Sequence, residues 1–249
     1  MLKRLAGRVA IVTGSTKGIG YAIAERLAQE GAKVVVSSRK QAHVDEALES
    51  LSSKGYQVSG LTCHVAKKED RQKLLEEASK LGGLDILVSH AGVNPSITNV
   101  FGCTEEAWDK IFDVNVKTAF LLAKESLPLL KNSKAGRIMY TSSVSAFRPF
   151  RDMGAYGVSK TALLGLVKAE AFDLGPYNIT VNGIAPGYIE TRFAEVLTPM
   201  KETYVGEMNI KRIGKPEDIS GIAAFLASDD GAYITGETIV AAGGLLSRL

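Results

Sequence analysis

The sequence predicts an α/β fold: one doubly wound domain in which a seven-stranded, mostly parallel sheet lies between helix layers. Three observations predict it. Short β-branched runs alternate with helix-length amphipathic segments along the whole chain, the order that parallel crossovers require. A glycine-rich turn separates the first run from the first helical segment. No Pro/Ser-rich linker, repeat or low-complexity tract divides the 249 residues, so a single unit, 1–249, is expected.

The first strand is read at 8–12, where Val9, Ala10, Ile11 and Val12 run together without polar alternation, as a strand buried on both faces should. The good helix formers of 22–28 follow the turn. A second strand is expected at 33–37 and a helix at 43–54. Further strands are read at 57–63, 84–89, 136–141, 179–185 and 238–240, with helices at 69–80, 105–130, 154–174 and 216–227. The stretch 188–212, with Pro199 and mixed polar residues, breaks this rhythm and is expected to be a lid or substrate loop.

Apolar residues make up 45% and charged ones 23%, enough to bury a sizeable core without disulfides or metal. Basic and acidic residues nearly balance, 30 against 27, so no clustered basic face suggests a nucleic-acid partner. Cys63 and Cys103 form no CxxC, zinc spacing or disulfide framework, which points to a reducing compartment. The beginning lacks an apolar signal core, and no run reaches the roughly 20 apolar residues of a spanning helix. The final Ser247-Arg248-Leu249 differs from the Ser-Lys-Leu address only by Arg for Lys. A peroxisomal import receptor is the expected partner for it, with a cytoplasmic enzyme as the alternative.

Thr13-Gly14-Ser15-Thr16-Lys17-Gly18-Ile19-Gly20 lies between the first strand and the first helix. Glycines there let backbone N–H groups approach a pyrophosphate, which meets the positive end of the helix. At the end of the second strand, where an NAD site places a carboxylate on the ribose, stand Ser38 and Arg39. Arg39 offers paired donors to a 2′-phosphate, and Lys17 a second positive charge. Such charge-assisted bonds are worth about 1.5–3 kcal/mol each, so NADP(H) is expected over NAD.

Tyr156 and Lys160 stand at i and i+4 on the helix beginning near Gly154, hence on one face. A lysine ammonium favours the phenolate and is expected to lower the tyrosine's pKa towards useful acid/base range. The turn at 14–20, Asn115, the pair Ser142-Ser143 and Tyr156/Lys160 together resemble the short-chain dehydrogenase/reductases over essentially the whole chain. That resemblance implies a Rossmann-type fold and a catalytic set of Ser143, Tyr156, Lys160 and Asn115. Its serine precedes the tyrosine by about a dozen residues, which selects Ser143 over Ser142. Tyr156 would donate the proton, Ser143 would bond the same oxygen, Lys160 would also hold the nicotinamide ribose, and Asn115 would position a water linking Lys160 to solvent.

The resemblance further implies cofactor contacts from Ala91, Gly92, Pro186, Gly187, Ile189 and Thr191. Two departures stand out. Ser89-His90-Ala91-Gly92 replaces a common Asn-Asn-Ala-Gly, and His64 stands where many members place an aspartate beside the adenine, leaving the backbone of Val65 as an alternative contact. Within the family, the tail, Ser38-Arg39 and Cys63-His64-Val65 are similar to the peroxisomal NADPH-dependent carbonyl reductases. This implies a homotetramer reducing ketones, aldehydes or dicarbonyls, retinal included. The readings left beside it are a 3-ketoacyl-thioester reductase or 3-hydroxyacyl dehydrogenase, and a non-catalytic NADP-binding protein.

His90 is expected to pack beside the cofactor rather than act as a base. No His/Cys/carboxylate cluster has metal spacing, so His43 and His64 are not read as ligands of a metal. Trp108 is expected in packing with Ile111 and Phe112, and Cys103 near the cleft. Phe147, Phe150, Tyr188 and Phe193 are candidates to line the substrate space.

Overall fold

The computed structural model describes residues 3–195 and 201–245. Among them seven strands form one sheet: β1 (Val9–Val12), β2 (Lys33–Ser38), β3 (Val58–Thr62), β4 (Ile86–Ser89), β5 (Arg137–Thr141), β6 (Thr180–Pro186) and β7 (Thr238–Ala241). Their order is β3-β2-β1-β4-β5-β6-β7 and every pairing is parallel.

The crossovers are α1 (Gly18–Gln29), α2 (Gln41–Ser53), α3 (Lys68–Lys80), α4 (Glu105–Phe112), α5 (Thr118–Leu130), α6 (Gly154–Leu174) and α8 (Pro216–Ala227), with a short α7 (Lys201–Glu207) before the last. Side chains of β1 alternate between two cores. Val9 and Ile11 join α3, α5 and α6 on one face, while Ala10 and Val12 join α1 and α8 on the other. Both faces are thus covered, which explains why β1 reads as an unbroken apolar run.

The predicted helix 105–130 is not uniform. Between α4 and α5 the chain forms a π-helical stretch, Asp113–Lys117, with Asn115 buried at its centre. Asn115 Oδ1 accepts from the Val93 amide at 2.8 Å, and its Nδ2 donates to the Val93 carbonyl and to Ser159 Oγ. These tertiary bonds hold the wider turn in place. The segment 188–212 is also not all loop: α7 places Tyr204 against Phe150 and Tyr188, and an Arg148–Glu207 pair at 2.6 Å fastens it. Trp108 stacks on Phe112 with ring centres 4.7 Å apart.

Chain order reverses between β1 and β4, the switch point where open α/β sheets form a crevice at the carboxyl ends of their strands. The elements around that crevice carry most of the residues singled out above.

Candidate active site

At the switch point lies a cleft of about 430 Å³. Its floor begins with the turn after β1. Gly14 and Gly18 take φ of +65° and +59°, the left-handed region that glycine adopts freely. A Cβ on Gly14 would meet Ala91 Cα at 3.3 Å, and one on Gly20 would meet His90 Cδ2 at 2.7 Å. The turn therefore packs onto the end of β4. Thr13 Oγ1 fixes that contact by accepting from the amides of His90 and Ala91, both at 3.0 Å.

Gly14, Thr16, Lys17, Gly18 and Ile19 line the cleft, as do Ser38, Arg39, His64, Val65, Ala91 and Gly92. Pro186, Gly187, Ile189 and Thr191 form its other wall, pinned where the Glu190 amide donates to the Gly214 carbonyl at 2.8 Å. Two expected cofactor contacts do not reach the surface. Ser15 is fully buried: its hydroxyl donates to the Val12 carbonyl and accepts from the Ser37 amide, stitching β1 to β2. Gly20 sits beneath the turn and lets it close. Lys17 lines the cleft but faces Glu46 at 3.6 Å, so its charge is shared.

The opposite end gathers Ser143, Tyr156 and Lys160. Burial pushes the Tyr156 phenol above its ordinary range, and the neighbouring Ser143 hydroxyl draws it partly back. The Ser145 amide donates to Ser143 Oγ at 3.1 Å and orients it. Lys160 lies below, its Nζ donating to the Thr141 carbonyl at 2.7 Å and sitting 5.5 Å from the centre of the Tyr156 ring. Burial brings this ammonium down to about 8. The expected lowering of the tyrosine by the lysine is therefore not what this structure holds. Loss of water disfavours both charged forms, and the lysine's bond goes to a carbonyl.

Ser142 is the other half of the serine pair, and it does different work. It also borders the cleft, but its hydroxyl donates to the Lys160 carbonyl at 2.9 Å, anchoring α6 to the end of β5. Asn115 approaches from the π stretch through Ser159, whose hydroxyl donates to the Tyr156 carbonyl at 2.7 Å. His90 lines the cleft with Nδ1 3.0 Å from Thr141 Oγ1; burial, helped by the charge of Lys160, depresses it to about 4. Its ring packs against the glycine turn, where a Cβ on Gly20 would meet Cδ2.

Phe150, Tyr188 and Phe193 line the cleft, whereas Phe147 lies off its described walls. Cys103 is half-buried away from it, with Sγ near the Thr104 carbonyl. Cys63 is the cysteine on the cleft, its buried thiol pushed up to about 12. Among the wall residues not foreseen are His43, Val93, Met153 and Tyr204. Their positions depend on how α2, α6 and α7 dock, for which local sequence carries no signal. Among the described residues no group of three His, Cys, Asp or Glu side chains could hold a metal, and no helix is long and apolar enough to cross a membrane. Ser247-Arg248-Leu249 lie outside the described residues.

A doubly wound sheet with a glycine turn and a Ser/Tyr/Lys cluster on one crevice defines a dinucleotide-binding oxidoreductase. A family profile described as enoyl-(acyl carrier protein) reductase matches residues 14–246. Dehydrogenase/reductase SDR family member 4 of Sus scrofa is 52% identical over 251 residues, covering 99% of this chain and 90% of its own. Among solved structures, a short-chain dehydrogenase/reductase of Serratia marcescens is 34% identical with TM-score 0.91, covering 97% of this chain and 99% of that one. A short-chain dehydrogenase of Burkholderia cenocepacia, solved in complex with NADP, is 30% identical with TM-score 0.90 over the same shares. The chain belongs to the short-chain dehydrogenase/reductase family. It is an oxidoreductase acting between CH–OH and C=O groups, and its family uses a nicotinamide cofactor.

Proposed function

We propose that this enzyme is an NADPH-dependent carbonyl reductase that converts apolar ketones, aldehydes or dicarbonyls, retinal among them, into alcohols. The observation that carries this reading is that Ser143, Tyr156 and Lys160 line one cleft, with the Lys160 ammonium held on the Thr141 carbonyl 5.5 Å from the centre of the Tyr156 ring. The opposite end fits NADP. Its glycine turn opens into the start of α1, and a Cβ on Gly18 would press on Thr191 at 3.2 Å, so the backbone cradle exists only without side chains. Ser38 and Arg39 border the cleft at the end of β2, where a 2′-phosphate would lie. The NADP held by the Burkholderia relative supports the same choice.

When bound, the reduced nicotinamide supplies hydride to the carbonyl carbon. Tyr156 gives its proton to the carbonyl oxygen, and burial keeps the phenol protonated through neutral pH, the state a donor needs. Ser143 donates a second bond to that oxygen as negative charge develops. Lys160 holds the nicotinamide ribose and, with its ammonium near the phenol, eases return of the proton. Asn115, its side-chain amide held by Val93 and Ser159, positions the water that links Lys160 to solvent in this reading. Phe150, Tyr188 and Phe193 give the substrate end an apolar, aromatic wall.

The whole chain, 1–249, acts as one cofactor-binding and catalytic unit in this reading, assembled as a homotetramer. Where Ser247-Arg248-Leu249 forms the free C-terminus, it addresses the enzyme to peroxisomes. The description of the matching family profile, enoyl-(acyl carrier protein) reductase, names acyl thioesters as substrates and so favours one second reading on that substrate class: reduction of 3-ketoacyl thioesters. NADPH-consumption assays over diketones, aromatic ketones, retinal and acetoacetyl thioesters, with NADH alongside, decide between them. Preference for NADH would overturn the cofactor assignment, and preference for thioesters would install the second reading.

A further inference from the structure

The charges on the cleft are all of one sign. Among the described residues that line it, Lys17, Arg39, Lys110, Lys160 and Arg192 are charged, and no Asp or Glu stands with them. A cleft walled in this way draws anions and concentrates them. In the proposed function Lys17 and Arg39 serve the 2′-phosphate, and Lys160 serves the chemistry. Of the two cations left, Lys110 and Arg192, only Arg192 is next in sequence to a ring on the proton donor: Phe193 lies 5.5 Å from Tyr156 between centres.

Most arginines of this chain already hold a carboxylate. Arg26 holds Glu30 at 2.7 Å, Arg71 holds Glu125 at 2.8 Å and Arg212 holds Asp218 at 2.6 Å. Arg192 is exposed and has no carboxylate or hydrogen-bond partner among the described residues, although Glu190 and Glu195 flank it in sequence. Its place on the wall is fixed from both sides. Thr191 turns to the glycine turn, where a Cβ on Gly18 would meet it at 3.2 Å, and the Ala194 amide donates to the Thr191 carbonyl at 2.9 Å. Arg192 thus lines the cleft between the seat of the cofactor and the ring that covers Tyr156. A pyrophosphate is served by the backbone amides of the glycine turn and the start of α1. At the substrate end Phe150, Tyr188 and Phe193 are aromatic, and the Lys160 ammonium is committed to the Thr141 carbonyl. Arg192 is the cation left there for an anion, and its planar guanidinium offers the paired donors that fit a carboxylate.

We infer that the preferred substrates are oxo acids: apolar ketones or aldehydes that also carry a carboxylate, with the carbonyl at Tyr156 and the carboxylate on Arg192. The inference rests on the carbonyl-reductase reading and narrows its substrate class. The aromatic walls hold the apolar body, and Arg192 sets which end of the molecule faces out.

Steady-state kinetics of the full chain with NADPH test this, comparing 3- and 4-acetylbenzoate with the matching neutral acetylbenzamides and with acetophenone. The better acid should show a kcat/KM about 5- to 20-fold above that of its amide, the range of a charge-assisted pair discounted for exposure. That lead should shrink as salt rises. Arg192→Gln should bring the ratio to about 1 through the KM of the acid. Arg192→Lys, which keeps the charge without the paired donors, should retain part of it. Reduction of acetophenone with no lead for either acid overturns the inference alone, as does a lead that Arg192→Gln keeps. If Arg192→Gln loses NADPH affinity in calorimetric titration by as much as it loses the acid, Arg192 belongs to the cofactor and the inference fails. No NADPH oxidation with any of these ketones overturns the carbonyl-reductase reading and the inference with it. The wild-type comparison and its salt dependence stand even if a variant fails to fold.

Discussion

The two ends of the cleft are built by opposite means. At the chemical end the polar groups have been taken out of water: Asn115, Ser142, Ser159 and Lys160 are each 4% exposed or less. Every one of them is held by named hydrogen bonds, because an unmet group there would cost about 1–3 kcal/mol. At the nucleotide end the glycine backbone and the buried Thr13 and Ser15 hydroxyls do the fixing, while the charges, Lys17 and Arg39, stand in solvent. Removing a group from the first region should act on chemistry and act steeply. Removing one from the second should act on affinity, by degrees, and fade with salt.

The steepest test is Tyr156→Phe. It deletes only the phenol oxygen, leaving the ring against Phe193 at 5.5 Å between centres. Turnover should fall by roughly 10²–10⁴, the usual worth of a positioned proton donor, while NADPH affinity and the melting temperature stay close to wild type. Near-normal carbonyl reduction by this variant would remove Tyr156 from the donor role. Next comes Arg39→Ala. Losing a charge-assisted contact to the 2′-phosphate should weaken NADPH binding by roughly 10- to 150-fold and leave NADH binding unchanged, the gap narrowing at high salt. An equal loss for both cofactors would mean that Arg39 acts on some other part of the dinucleotide.

The same contrast explains what could be read in advance. The glycine turn and Ser38-Arg39 are local features, set by φ and by position after a strand, and they were legible in the sequence. The strands themselves were legible too, β1 and β2 because strands buried on both faces read as unbroken apolar runs. The chemical end was legible as a set of residue types but not as an environment. Spacing places Lys160 near Tyr156; it does not say that both are buried, and burial reverses the expected direction for the phenol. The helical period runs through 105–130 without interruption, so the π turn at Asn115 has no sequence mark; it exists because Val93 and Ser159 reach that side chain. Ser15 misleads for a similar reason. A hydroxyl in the glycine turn can serve phosphate or the strand seam, and only the β1–β2 geometry shows the second.

His90, which sits between the two regions, sharpens the comparison through pH. In the folded chain burial and Lys160 hold it down to about 4, whereas a free histidine titrates near 6.5. Between these values the unfolded chain binds the proton and the folded chain does not. Stability from this group is therefore fully present above about pH 6.5 and is lost as pH falls towards 4. Glu170 works the other way, because burial raises it to about 7 and the folded chain keeps its proton. The measurement must therefore be a difference: denaturant midpoints of wild type and His90→Asn from pH 7 to 4. The wild type should lose on the order of 2 kcal/mol relative to the variant over that range. Parallel curves would mean that His90 is solvated enough to titrate normally.

The smallest expected effect belongs to the most exposed pair. Lys17 and Glu46 stand 3.6 Å apart with side chains 53% and 68% exposed, a geometry that contributes little to stability. Its consequence should be for the ligand: Glu46 competes with a 2′-phosphate for the same ammonium. Glu46→Gln should leave the melting temperature unchanged and tighten NADPH binding by less than about 5-fold, with no change for NADH and no effect left at high salt. If NADH gains as much as NADPH, Lys17 serves the pyrophosphate that both cofactors share, and the preference for NADP would rest on Ser38 and Arg39 alone.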